Sequence, residues 1–171
     1  MKFDSLWEET FSGPVTDIAL AKKSGDMAVA SIPDVDTGGK NLLTLISKAG
    51  KKIFQIPTPI PVKSLDIADD GSRVLINNYD GKLVAYDRTG AMLWTVDGGC
   101  RPWILNSTKK ILCYHDDDPK PSYAYDAYDF DGKRVGRFPS KTDVLALKIS
   151  EDERWFAIAL AGGRVLVFGN P

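Results

Sequence analysis

VKSLDIADDGSRVLINNYDGKLVAYDRTGAMLWTV, from Val62 to Val96, is the stretch that decides the fold. Short runs of β-branched and aromatic residues alternate in it with Asp-Gly and Thr-Gly pairs, which is typical of antiparallel strands joined by tight turns. The stretch therefore predicts one antiparallel unit of four strands, at Ser64–Ile67, Arg73–Asn77, Lys82–Tyr86 and Ala91–Val96.

The same order of parts occurs in three other places: Val15 to Ile56, Trp103 to Phe138, and Asp143 to the end. The turns between third and fourth strands align best, as SKAG, DRTG and DFDG. Each ends on a Gly, which closes a hairpin in the left-handed conformation at low steric cost. Four units in 171 residues are roughly 43 residues each, which is within the range of propeller blades.

The turns between first and second strands are less uniform. Two copies keep a glycine there, Gly25 and Gly71, whereas the third has NSTKK and the fourth SEDER. Because a side chain disfavours the left-handed conformation, we expect these two turns to be of a different type.

The fourth copy stops after three strands, and a matching piece lies at the other end of the chain. In DSLWEETF, Asp4–Phe11, the pair Leu6-Trp7 corresponds to Leu93-Trp94 of the second copy. The sequence therefore predicts an all-β, single-domain β-propeller over 1–171, whose last blade is completed by the N-terminal strand. The expected blades are 14–59, 60–99, 100–140, and 141–171 together with 1–13.

The repeats resemble the WD-like and quinoprotein-like (PQQ-type) β-propeller repeats of bacteria and archaea. The resemblance rests on the turn between the first two strands followed by DGKLVAYDRTGAMLW, and it covers essentially the whole chain. The third copy departs from the pattern, since Gly136 stands where the others have an aromatic residue. The resemblance implies the fold; the docking motifs, catalytic acid and calcium site of quinoprotein dehydrogenases have no counterpart that can be placed here.

Propellers of this family mostly close with six to eight blades, so four repeats leave three alternatives. The chain forms a tight four-bladed ring; two chains join head to tail as an eight-bladed homodimer; or the chain is part of a longer protein. The two-chain ring is favoured, because an open half-ring exposes strand edges and the apolar flanks of its end blades.

Composition limits the classes of partner and the cellular location that we expect. With 22 basic and 23 acidic residues the formal charge is −1, which disfavours nucleic acid and anionic membranes as partners. No signal region or membrane span is evident, so a cytoplasmic location is expected. Cys100 and Cys113 show neither a CxxC nor a zinc spacing, and they are interpreted as reduced thiols.

Catalytic and metal-binding patterns are weak, and we expect no enzyme activity, no cofactor and no bound metal. His115 is the single histidine, and its neighbour Cys113 falls at an interior strand position. A calcium loop starting at Asp34 fails because its twelfth residue is Leu45 instead of a bidentate Glu. The acidic run 116–118 is more typical of a solvated loop than of a metal site.

Two long loops, Pro33–Asn41 and Asp116–Ser122, fall between second and third strands in alternate blades. In a propeller these loops open on one face. They are either tolerated variation in the length of surface loops, which costs little entropy, or a partner-binding rim with aromatic anchors. We therefore expect a scaffold for protein–protein interaction, with a small-ligand or glycan-binding propeller as the alternative. The candidate partner-binding residues are Asp34, Asp36, Trp103, Tyr114, His115, Asp117 and Tyr123.

Overall fold

A computed structural model describes residues 5–34, 39–98, 100–114, 123–139, 142 and 144–169. Asp36, His115 and Asp117 lie outside these residues. The described part of the chain forms fifteen strands in four antiparallel sheets, each built from strands that are consecutive in the sequence. No helix in it is long and apolar enough to cross a membrane.

Each sheet is one blade, numbered 1 to 4 in chain order, and its first strand is the inner strand. The strands of blade 1 are β1 Val15–Leu20, β2 Met27–Ser31, β3 Asn41–Ile46 and β4 Lys52–Thr58; those of blade 2 are β5 Val62–Ile67, β6 Arg73–Asn78, β7 Lys82–Asp87 and β8 Met92–Asp97. Blade 3 consists of β9 Arg101–Leu105, β10 Lys110–Tyr114, β11 Tyr123–Asp129 and β12 Arg134–Pro139; blade 4 consists of β13 Val144–Ile149, β14 Trp155–Leu160 and β15 Arg164–Gly169.

The predicted all-β propeller architecture is confirmed, with one difference in blade 4. This blade has three strands, and β15 pairs only with β14 among the described strands. Residues 5–11, expected to be its fourth strand, belong to no sheet. Among the described residues, the outer edge of β15 is therefore unpaired.

Apolar side chains from facing blades form three core clusters, one at each boundary between consecutive blades. Leu43 and Leu45 of blade 1 pack with Ile76 of blade 2 in the first cluster. The second joins blades 2 and 3 and contains Leu83 and Ile111. The third joins blades 3 and 4. Burial against a neighbouring blade thus stabilises each sheet, since a lone sheet cannot cover both of its faces.

A second contact recurs at the outside of the blades, and we call it the aromatic–glycine joint. The Trp94 ring of blade 2 lies against Gly132 in the β11–β12 turn of blade 3, and its indole N–H donates to the Phe130 carbonyl at 2.8 Å. Phe54 of blade 1 lies in the same way against Gly90 of blade 2. A Cβ on either glycine would stand 2.7–3.0 Å from the ring, closer than side chains tolerate.

The boundary between blades 3 and 4 is built differently. Gly136 occupies the position of the aromatic residue, and four rings pack together nearer the core instead. Phe156 stacks on Phe168 with centroids 4.7 Å apart, and Tyr125 stacks on Phe138 at 5.5 Å. Such ring pairs add about 1 kcal/mol each beyond their buried area, which offsets the missing joint.

The inner turns are linked from blade to blade by hydrogen bonds. The amides of Lys23 and Ser24 donate to the Asp69 carbonyl, and the Asp69 amide donates to Asn106 Oδ1 at 2.7 Å. The Glu153 carboxylate accepts from the Asn106 amide at 2.9 Å and from the Ser107 amide at 2.7 Å. This face of the propeller is therefore tied together across all four blades.

The expectation of a different turn type where glycine is missing is wrong. Glu153 has a φ of 57° and Lys109 one of 50°, in the left-handed region that Gly25 and Gly71 occupy at 72°. This conformation costs a residue with a side chain about 1–2 kcal/mol. At Glu153 the two hydrogen bonds to blade 3 offset that cost.

The two cysteines are joined in a disulfide, so their interpretation as reduced thiols is wrong. Cys100 immediately precedes β9, Cys113 lies in β10, and their Cα atoms are 5.2 Å apart, within the range that a disulfide needs. The sequence spacing of 13 gave no signal for this pairing, because the contact arises only when β9 and β10 lie side by side.

Replacing Gly132 with Ala is expected to destabilise the protein by about 2–4 kcal/mol, since the new Cβ collides with the Trp94 ring. The matched control is Gly162→Ala, where φ is also positive but nothing lies within 4 Å of the added Cβ. Urea unfolding measures both. Equal losses for the two variants would show that backbone conformation alone, and no ring contact, requires Gly132.

Candidate functional site at the central opening and the loop face

The inner strands of all four blades line one central opening. It forms a cavity of about 560 Å³, to which β1, β5, β9 and β13 all contribute lining residues. The charged side chains in the lining are of both signs: Asp17, Lys22, Asp66, Arg101 and Lys148. An opening of this character suits a polar or charged group better than an apolar one.

Two of these carboxylates connect neighbouring inner strands, which do not pair with each other as a sheet. Asp17 accepts from the Leu65 amide at 2.9 Å, so blade 1 is bonded to blade 2. Asp66 accepts from the Ile104 amide at 2.7 Å, so blade 2 is bonded to blade 3. Each also accepts the amide of the residue that follows it. The carboxylates thus hold the edge of the opening in shape.

Removal from water raises the pKa of Asp66 to about 6, although its backbone hydrogen bonds act in the opposite direction. The charge of Asp69 also raises the pKa of Asp66, and the charge of Lys22 lowers it. The cavity lining therefore contains an acid whose charge changes just below neutral pH.

A second depression, which we call the loop-face groove, lies where the β2–β3 loop meets the connection from β4 to β5. Its volume is about 430 Å³, and its lining residues are Pro33, Gly39, Lys40, Asn41, Pro57, Thr58 and Pro59. Asn41 Nδ2 donates to the Thr58 carbonyl at 3.4 Å, which links the two walls. The described residues of the long loop noted in the sequence thus form one side of a concave surface.

Buried polar atoms without a hydrogen-bond partner gather at this same face. Among the described residues, four of the five such atoms belong to Thr58, Ser64, Asn77 and Asn78. Thr58 is at the end of β4, Ser64 is near the start of β5, and both asparagines are at the end of β6. Buried polar groups are nearly always paired in folded proteins, with protein atoms or with ordered water. Of these four residues, Thr58 lines the loop-face groove.

Trp103 is the candidate residue that the structure places most clearly. It lies inside β9, opposite Leu112, and its half-buried side chain lines the central opening and packs against the core of blades 3 and 4. Trp103 is therefore available to a ligand in the opening, whereas it does not belong to the loop-face groove.

The other candidates are placed only in part. Asp34 is exposed and directly follows Pro33 of the groove. Tyr114 ends β10 and Tyr123 begins β11, while their side chains lie outside the described residues, as do Asp36, His115 and Asp117 entirely. Within the described part of the chain, no three His, Cys, Asp or Glu side chains come close enough to hold a metal ion.

Sequence reasoning missed Asp17, Asp66 and Thr58. Asp66 alternates with Leu65 and Ile67 and Asp17 precedes Ile18, so both acids look like ordinary polar strand residues and gave no signal of a partner in the next blade. Thr58 gave no signal, because a threonine in an outer strand is ordinary and only the packing of the connection after β4 buries it.

No protein-family model and no curated protein matches the sequence. Solved structures share its fold. The computationally designed Ika4 protein superposes with a TM-score of 0.68 at 15% identity, over 99% of each chain. BamB from Moraxella catarrhalis, a β-propeller, superposes with a TM-score of 0.66 at 15% identity, over 92% of this chain and 47% of its own. This chain thus spans about half the length of BamB, and at such identity the likeness shows the fold alone.

The raised pKa of Asp66 predicts a pH dependence of stability. Between pH 4 and 6 the folded state binds more protons than the unfolded state, so the free energy of unfolding falls by about 2 kcal/mol as the pH rises through this window. Asp66→Asn removes this contribution, and its stability relative to the parent should therefore increase from pH 4 to pH 7. A difference that stays constant with pH in urea unfolding would contradict the assignment.

Proposed function

We propose that the protein is a non-enzymatic β-propeller scaffold that binds a protein partner through its loop face. The observation that carries the proposal is the loop-face groove, whose lining includes Thr58 with a hydroxyl that has no hydrogen-bond partner among the described residues of the single chain. An extended segment of a partner has a free donor and acceptor at every residue, and such a segment would supply a partner for this hydroxyl.

The groove also has the composition of a peptide-binding surface. Three prolines contribute rigid apolar walls, and Lys40 and Asn41 supply polar contacts at the rim. Because prolines lose little conformational freedom on binding, such a surface is already ordered before the partner arrives. Asp34 extends the polar rim along the same loop.

Thr58→Val tests the proposal, because it removes the unpartnered hydroxyl and keeps the shape of the side chain. The variant should be more stable than the parent by about 1 kcal/mol, since an unpaired buried hydroxyl is removed. The variant should nevertheless bind its partner more weakly. Affinity capture from the native host, followed by mass spectrometry, should recover roughly tenfold less of the partner with Thr58→Val than with the parent. Shortening the loop 33–41 should have the same effect on capture.

The matched control is Thr108→Val. Its hydroxyl is also buried and unpartnered, but it lies in the β9–β10 turn on the opposite face. This variant should gain stability in the same way and capture the same partners as the parent. If Thr58→Val captures those partners equally well, the loop-face groove is not the binding surface.

A small-ligand or glycan-binding function is the second candidate, favoured by the central opening. Trp103 offers a ring face there, and Lys22, Arg101 and Lys148 offer charged groups. A thermal-shift screen of sugars, organic acids and divalent cations should then raise the melting temperature, and Trp103→Ala should abolish the shift. A shift that persists in Trp103→Ala, or none with any compound, argues against the opening as a ligand site.

A further inference from the structure

The two ends of the four-blade arc expose the two halves of a blade-to-blade contact. On the outward face of blade 4, Val165 and Val167 are each 66% exposed, whereas Leu83 and Ala85 at the same positions of blade 2 are fully buried. On the outward face of blade 1, Ile18 is 59% and Leu20 is 66% exposed, whereas the matching Leu65 and Ile67 of blade 2 are 7% and 3% exposed.

The N-terminal segment 5–11 is already placed as an outer strand for a blade that precedes blade 1. The Trp7 ring lies against Gly50 in the β3–β4 turn, and its indole N–H donates to the Lys48 carbonyl at 3.1 Å. This is the joint that Trp94 makes with Gly132 and Phe130. The salt bridge from Glu9 to Lys52, 2.7 Å long, fixes the segment further. Among the described residues, blade 4 is the blade with three strands and an unpaired outer edge.

From these features we infer that a second copy of this chain closes the ring. The 5–11 segment of each protomer pairs with the partner's β15, and the apolar face of blade 4 packs on the partner's blade 1. Two copies of four blades form an eight-bladed ring with two-fold symmetry, a number of blades that propellers use. This inference does not depend on the proposed partner at the loop face.

A pair of side chains at one register position supports the match between the ends. Asp26 of blade 1 forms an ion pair with Arg88 of blade 2, and at the same position Arg73 of blade 2 lies 5.1 Å from the ring centre of Phe130 in blade 3. Continuing the register, Trp155 of blade 4 faces the partner's Lys48. Both side chains are exposed in the single chain, and together they form a cation–π pair of the Arg73–Phe130 kind.

The packing within one chain favours a second copy over closure of the chain on itself. No core cluster of the described residues joins blade 4 to blade 1, whereas one cluster lies at each boundary between consecutive blades. The central opening then has only half of its lining in one chain.

Sedimentation velocity and light scattering of the full chain at micromolar concentration test the inference. The expected mass is twice 18.8 kDa. Val167→Lys should convert the dimer into a monomer with an unchanged β-sheet circular dichroism spectrum. The matched control is Val135→Lys, which changes an exposed valine on the outer strand of blade 3 and should leave the dimer intact.

A charge complementation keeps the test decisive if Val167→Lys does not fold. Trp155→Lys places a lysine opposite the partner's Lys48 at each of the two symmetric interfaces. Repulsion between the two positive charges should weaken the dimer by about tenfold. Adding Lys48→Glu creates an ion pair like that of Asp26 and Arg88, and the double variant should recover the affinity. A parent chain of 18.8 kDa, an open-ended polymer, or no recovery in the double variant would overturn the inference.

Discussion

The contact between an aromatic ring and a turn glycine sets the distance between the blades on which the other contacts depend. Phe54 against Gly90 and Trp94 against Gly132 bring consecutive sheets close enough for their apolar faces to interlock. Two properties make glycine necessary in this turn: it adopts a positive φ easily, and it has no Cβ that would collide with the ring. Between blades 3 and 4, Gly136 takes the place of the aromatic residue. There a cluster of four aromatic side chains nearer the core holds the two blades together.

The two faces of the propeller differ in how completely their polar groups are satisfied. On one face, the hydrogen bonds of Asp69, Asn106 and Glu153 run from blade to blade, so the polar groups of these turns are used within the chain. On the loop face, polar atoms of Thr58, Asn77 and Asn78 are buried without partners. The first face connects the blades, and the loop face is the one through which we propose that a partner binds.

The strands were predictable because the repeat pattern is local: Asp-Gly and Thr-Gly turns between alternating runs predict each hairpin from a few residues. The correspondence of Trp7 with Trp94 was also visible in the sequence, and both make the same joint. By contrast, the hydrogen bonds of Asp66, the pairing of Cys100 with Cys113 and the left-handed Glu153 depend on residues distant in the chain. Such features become apparent only once the blades are placed side by side.

The packing of blades 2 and 3 protects the Cys100–Cys113 disulfide from exchange with other thiols. Both cysteines are fully shielded from solvent, and Cys113 lies in the core between blades 2 and 3. A thiolate that exchanges with a disulfide must reach one of its sulfur atoms, and packing of these blades blocks the approach. Reduction of this disulfide therefore requires a local opening of the boundary between blades 2 and 3.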